Sequence, residues 1–139
     1  MPPRAADGQE TLTIVEAAKH VGMSAHTLRY YERAGLMRPI ARTARGHRRY
    51  TTDDLTRLRF LHMLRQTGMP IRLVRRFATG AGDAAATRAL RIELLRTHRA
   101  RLSATIEELT ASAALVDGKL RQLHSARAHG APRRITTIP

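Results

Sequence analysis

Cysteine is absent from this 139-residue chain, which excludes disulfides, thiolate metal centres and thiol redox chemistry together and suits a reducing compartment. Acidic residues are scarce: 11 Asp+Glu stand against 25 Lys+Arg, giving a formal net charge of +14 and a pI near 11.7. Lysine is scarce too, since arginine outnumbers it 23 to 2. A general compositional bias would produce the same excess, so no single arginine is informative alone. No apolar run approaches the roughly 20 residues that a membrane span needs. Met1 to Glu10 lacks the apolar stretch of a secretory leader, so a cytoplasmic protein without a membrane partner is expected. Also missing are paired carboxylates, a glycine-rich phosphate loop and a nucleophile beside a base, so an enzyme is not expected. The histidines (His20, His26, His47, His62, His98, His124 and His129) are scattered, with no i, i+4 pair on a helix face. No metal site and no cofactor is expected from them.

What is present in excess is positive charge. A basic protein gains binding energy on a polyanion by releasing its condensed counterions. The excess is denser in the first part of the chain: 15 Lys+Arg against 6 Asp+Glu through residue 80, a net of +9, then 10 against 5, a net of +5. With 42% hydrophobic residues the chain can form one compact domain, or a small domain plus an extended element.

Residues 1–11 are polar, carry Pro2, Pro3 and Gly8, and read as a disordered arm. Residues 12–80 read as a small helical head. Thr13-x-x-Glu16 is a capping box, placing a helix that carries Ile14, Ala17, Ala18 and Val21 on one face and stops at Gly22. Ser24 caps a second helix, Ala25 to Ala34, ending before Gly35. Two short capped helices joined by a tight turn are a helix-turn-helix signal. Leu36–Ala41 and His47–Thr51 are strand candidates around the loop Arg42–Gly46, the pattern of a short β-hairpin wing. Thr52 is the expected cap of a third helix bearing Leu55, Leu58, Leu61 and Leu64. Pro70 opens a fourth that turns Ile71, Val74 and Phe77 inward and ends at Gly80.

From Ala84 to His124 there is no proline, and Gly118 is the only glycine. Ile92, Arg99, Ile106, Ala113 and Leu120 recur at one heptad position. Leu95, Leu102, Leu109, Val116 and Leu123 fill the other. Ile at a and Leu at d is the pattern of a two-stranded coiled coil. Such a helix would be about 60 Å long, too long to stand alone, and a second copy is the simplest partner. The heptads leave the direction of pairing open. Residues 125–139 read as a flexible basic tail. The fold expected is mainly α: a winged helix-turn-helix head followed by a long dimerisation coiled-coil helix.

In the second helix, Leu28 and Tyr31 are spaced to face inward while His26, Arg29 and Arg33 reach outward. Arginine matches a guanine edge in the major groove bidentately, and the Tyr30 hydroxyl suits a phosphate oxygen. Arg42, Arg45, Arg48, Arg49 and Tyr50 around Gly46 suit the phosphate backbone or minor groove. Arg72, Arg75 and Arg76 make a further basic patch, equally readable as a solvated face.

Ser24-Ala-His-Thr27-Leu28-Arg29-Tyr30-Tyr31-Glu32 with Gly35-Leu36 resembles the recognition-helix signature of the MerR (mercury-resistance regulator) family. Gly46-His-Arg48-Arg-Tyr50 leading into Thr-x-Asp-Asp-Leu55, and Gly68-Met-Pro70-Ile71, resemble its wing end, third helix and fourth helix. The resemblance runs over about residues 12–124. It implies two winged heads on successive major grooves of a palindromic promoter element, joined by an antiparallel coiled coil. It also implies a transcription regulator of the bacterial nucleoid that distorts promoter DNA for RNA polymerase. By position, Arg29 and His26 would approach bases while Tyr30, Arg48 and Tyr50 would grip phosphates. Two departures matter: His47 stands where the family more often has tyrosine, and the metal- and thiol-sensing branches need cysteines that are absent. An architectural DNA-bending protein would share the head. A coiled-coil interaction protein would leave the Ser24–Gly35 run unexplained.

Overall fold

A computed structural model describes residues 10–130. Five helices follow in order: α1 Ile14–Val21, α2 Ala25–Arg33, α3 Thr52–Gln66, α4 Ile71–Thr79 and α5 Ala84–His129. The chain divides into two units, one through His98 and one from Arg99 onward.

The first unit is set by its caps. Thr13 Oγ1 accepts from the Glu16 amide at 3.3 Å and the Glu16 carboxylate accepts from the Thr13 amide at 2.8 Å, so both halves of the α1 capping box form. Gly22 ends α1 at φ 68°, a left-handed turn that favours glycine. Two residues later Ser24 Oγ accepts from the Thr27 amide and starts α2. At α3 the cap is Thr51 rather than the expected Thr52. Of the adjacent threonines only Thr51 stands three residues before an acid whose carboxylate returns to its amide, at 2.8 Å from Asp54. Pro70, which lacks an amide to leave unpaired, precedes the first turn of α4.

The inward faces enclose one core. Ala17 and Val21 of α1, Leu28 and Tyr31 of α2, Leu55, Leu58, Leu61 and Leu64 of α3, and Val74 and Ala78 of α4 are all buried in it. Ile71 and Phe77 pack at its edge. The start of α5 closes it with Leu94 and Leu95. Two arginines reach the carbonyl end of α4: Arg57 donates to Ala78 O at 2.9 Å and Arg91 donates to Phe77 O at 2.8 Å. Cations there also complement the helix dipole. Two turns beyond Arg91 along α5, buried His98 meets Thr67 Oγ1 at 2.8 Å. The same hydroxyl donates to the Met63 carbonyl at 2.8 Å.

The expected β-hairpin does not form as strands. Among the described residues there are two isolated antiparallel bridges, Leu12↔Tyr50 and Arg42↔Arg48, and no sheet. Leu36 and Met37 are both buried, unlike the in–out alternation of a hairpin strand with one solvent face, and Pro39 brings no amide to a ladder. What remains is a loop closed by two backbone bonds, Thr43 N to His47 O and Arg49 N to Ala41 O, both 2.8 Å, with Gly46 at φ 83° in its turn.

In the second unit α5 continues to His129, five residues beyond the end expected at His124. Ser125-Ala-Arg-Ala offers nothing that breaks a helix; Gly130 follows it. The first residues of the expected tail are therefore helical. The remainder, 131–139, and residues 1–9 of the expected arm lie outside the described residues.

Candidate nucleic-acid interface

α2 is two-faced. Leu28 and Tyr31 are buried, and His26, Arg29, Tyr30 and Arg33 are exposed. His26 and Arg29 lie three residues apart on one face, close enough to address neighbouring features of a single ligand. Among the described residues no hydrogen bond or ion pair engages His26, Arg29, Arg33 or Arg45. These groups remain free to bind an anion without first breaking an internal contact.

The rest of the expected basic set is engaged internally. Arg48 Nε donates to Glu32 Oε2 at 3.0 Å, with both side chains mostly covered. Arg42 approaches Glu32 Oε1 at 3.6 Å and donates to Gly46 O at 2.9 Å. Arg49 donates to Thr11 Oγ1 at 3.0 Å and to Thr11 O at 3.2 Å, fastening the chain that enters α1. Tyr50, expected on a phosphate, is a core residue at 1% exposure. Its backbone pairs with Leu12, and its hydroxyl is buried without a hydrogen-bond partner in the described structure. Burial, chiefly, and then the Glu32 carboxylate push its phenol above the usual range, with the Arg48 cation opposing. Tyr31 is raised in the same direction, again chiefly by burial.

The loop and α2 meet around a groove of about 280 Å³ lined by Thr13, Ile14, Arg29, Gly46, His47 and Arg48. It brings the free guanidinium of α2 beside His47 and Arg48 of the loop and the start of α1. Arg72, Arg75 and Arg76 are exposed on α4. Two residues that organise this region were not singled out from the sequence: Glu32 and Thr11. The signal for Glu32 was present, as the one acidic residue in α2.

Of the expected dimerisation residues, Ile106, Leu109, Ala113, Val116, Leu120 and Leu123 are exposed, Leu109 at 64%. Leu102 is half-buried, and Ile92 is exposed at the start of the stripe. Leu95 differs, because it packs against the head core. The heptad period does not distinguish a seam from the first turns of a helix lying on its own head. Leu94 and His98, outside the heptad assignment, are buried there instead. Among the described residues no group of His, Asp or Glu is gathered that could hold a metal ion. No described helix is long and apolar enough to cross a membrane.

Two family models match the chain: "MerR HTH family regulatory protein" over residues 12–80 and "MerR, DNA binding" over residues 55–118. An HTH-type transcriptional regulator of Haemophilus influenzae is 35% identical over 127 residues, covering 90% of this chain and 93% of the relative. The chain belongs to the MerR family. As a member it is a DNA-binding transcription regulator and not an enzyme. Its fold is similar to that of HiNmlR, a MerR family regulator lacking the sensor domain and crystallised bound to promoter DNA, at TM-score 0.74 and 34% identity. That likeness covers 85% of this chain and 94% of HiNmlR. A MerR family transcriptional regulator from Listeria monocytogenes matches at TM-score 0.73 and 31% identity, over 85% of this chain and 91% of the other. The mainly helical architecture and the long C-terminal helix expected from the heptads agree with this membership.

Proposed function

We propose that this MerR regulator acts as a homodimer on a palindromic promoter element and distorts the promoter DNA for RNA polymerase. The observation that carries this is the two-faced α2. Its reverse face is locked in the core by Leu28 and Tyr31, while Arg29 and His26 stand exposed and unengaged. Arg29 reads a guanine edge with His26 beside it. Tyr30, Arg33 and Arg45 hold phosphates and fix register without reading sequence. The loop Ala41–Arg49 serves as the wing. Arg48, Arg49 and Tyr50 brace it from within. The apolar stripe from Ile106 to Leu123 pairs with its copy, because a row of Ile, Leu and Val left in water gains about 25 cal/mol for each Å² it buries. The binding of promoter DNA by HiNmlR supports a DNA duplex as the ligand.

Selection of bound duplexes from a random library at about 150 mM salt, where unspecific phosphate binding is weakened, tests the proposal. One palindrome with two half-sites on the same DNA face is the expected product, the half-sites separated by whole helical turns. Enrichment of merely flexible sequences would replace the regulator with an architectural protein.

A further inference from the structure

One carboxylate sits where the α2 helix and the loop meet. Glu32 is on the same helix as Arg29, but its side chain is turned away from solvent and shared between Arg48 at 3.0 Å and Arg42 at 3.6 Å. Arg42 and Arg48 are themselves the bridge pair that closes the loop. A single acid thus spans both arms of the loop and ties them to α2. The pair with Arg48 is well shielded, at 18% and 15% side-chain exposure, while Arg42 is at 45%.

This has an electrostatic consequence distinct from bracing. Unspecific binding to a duplex is almost wholly a count of phosphates neutralised. Arg42 and Arg48 face a carboxylate that competes with any phosphate for the same guanidinium hydrogens. They therefore add less to that count than their number suggests, while free Arg33 and Arg45 add in full. Base reading by Arg29 depends on α2 and the loop holding one geometry, which the same carboxylate enforces.

We infer that Glu32 is a specificity-determining residue: it withholds the loop arginines from unspecific phosphate contacts while fixing the recognition helix against the loop. This rests on the DNA-binding role proposed above. Glu32→Gln keeps the size and an acceptor oxygen but removes the charge. Binding of a scrambled duplex should strengthen, and its salt dependence should steepen by about one phosphate's worth, a slope change near 0.9. Between about 200 mM and about 50 mM salt that slope alone widens the variant's advantage three- to fourfold. The preference for the selected palindrome over the scrambled duplex should fall.

Glu32→Asp retains the charge and should keep the wild-type salt slope, even where its shorter reach costs stability. Glu32→Gln/Arg48→Gln should return the slope to that of the wild type. An unchanged or shallower slope for Glu32→Gln on the scrambled duplex would overturn the inference, as would Glu32→Asp steepening it equally. The scrambled-duplex arm needs no preferred sequence. Failure to recover a palindrome therefore counts against the proposed function, and a flat Glu32→Gln slope counts against Glu32.

Discussion

Replacing Tyr50 by Phe separates two roles that one side chain cannot hold at once. A phosphate ligand must present its hydroxyl to the duplex, yet the Tyr50 ring is 1% exposed and its oxygen is buried without a partner. A buried polar group left unpaired costs about 1–3 kcal/mol relative to its state in water. Phe fills the same volume without that cost. Tyr50→Phe should therefore stabilise the fold by about 1 kcal/mol, the low end of that cost, which in a domain of 60–100 residues raises Tm by about 4–8 °C. The alkaline limb gives a second readout. Burial raises the folded-state phenol above its unfolded value near 10. The raised pKa means the fold favours the protonated phenol; that advantage is full below pH about 10 and is lost as pH climbs toward the folded-state value. Tyr31 shifts the same way, so Tyr50→Phe should flatten part of the alkaline loss and Tyr31→Phe another part. Thermal melts followed by circular dichroism between pH about 7 and about 11, with operator titrations at pH about 7, measure both. A tenfold loss of operator affinity, or destabilisation beyond about 1 kcal/mol, would show that the hydroxyl has a partner and refute this account.

Arg29→Ala should cost about 1–3 kcal/mol on the selected palindrome and little on a scrambled duplex; equal losses in titrations on both would remove its base-reading role. Leu109→Glu places a charge in the middle of the exposed α5 stripe and should yield monomers in sedimentation, whereas a surviving dimer would move the interface elsewhere. Thr51→Ala removes one half of the α3 capping box and should lower stability by about 1 kcal/mol in denaturant unfolding. Thr52→Ala, at the first helical residue, should cost markedly less.

The helices were legible because their signals are local. Thr13 and Glu16, Ser24, and the period of Leu55, Leu58, Leu61 and Leu64 each act within a turn or two of the chain, and the structure places them accordingly. The loop was less legible because Leu36, Met37 and Ile40 answer to a core assembled from distant helices, not to their own alternation. The start of α5 failed for a related reason. A heptad repeat and a 3.6-residue repeat coincide over a few turns, so Leu95 reads as seam while it rests on the head core.

The interface shows a deeper limit. Seven basic or phenolic side chains on α2 and the loop (Arg29, Tyr30, Arg33, Arg45, Arg48, Arg49 and Tyr50) read alike in one dimension, since each is polar, large and suited to phosphate. Tertiary contacts divide them. A guanidinium with an internal carboxylate or carbonyl, as at Arg48 and Arg49, must exchange that bond for a phosphate and gains only the difference. A guanidinium in water, as at Arg33 and Arg45, exchanges only hydration and released counterions. The number of arginines in the motif therefore overstates the number of phosphates a head can neutralise. The measured salt slope per head should follow the unengaged set rather than the whole.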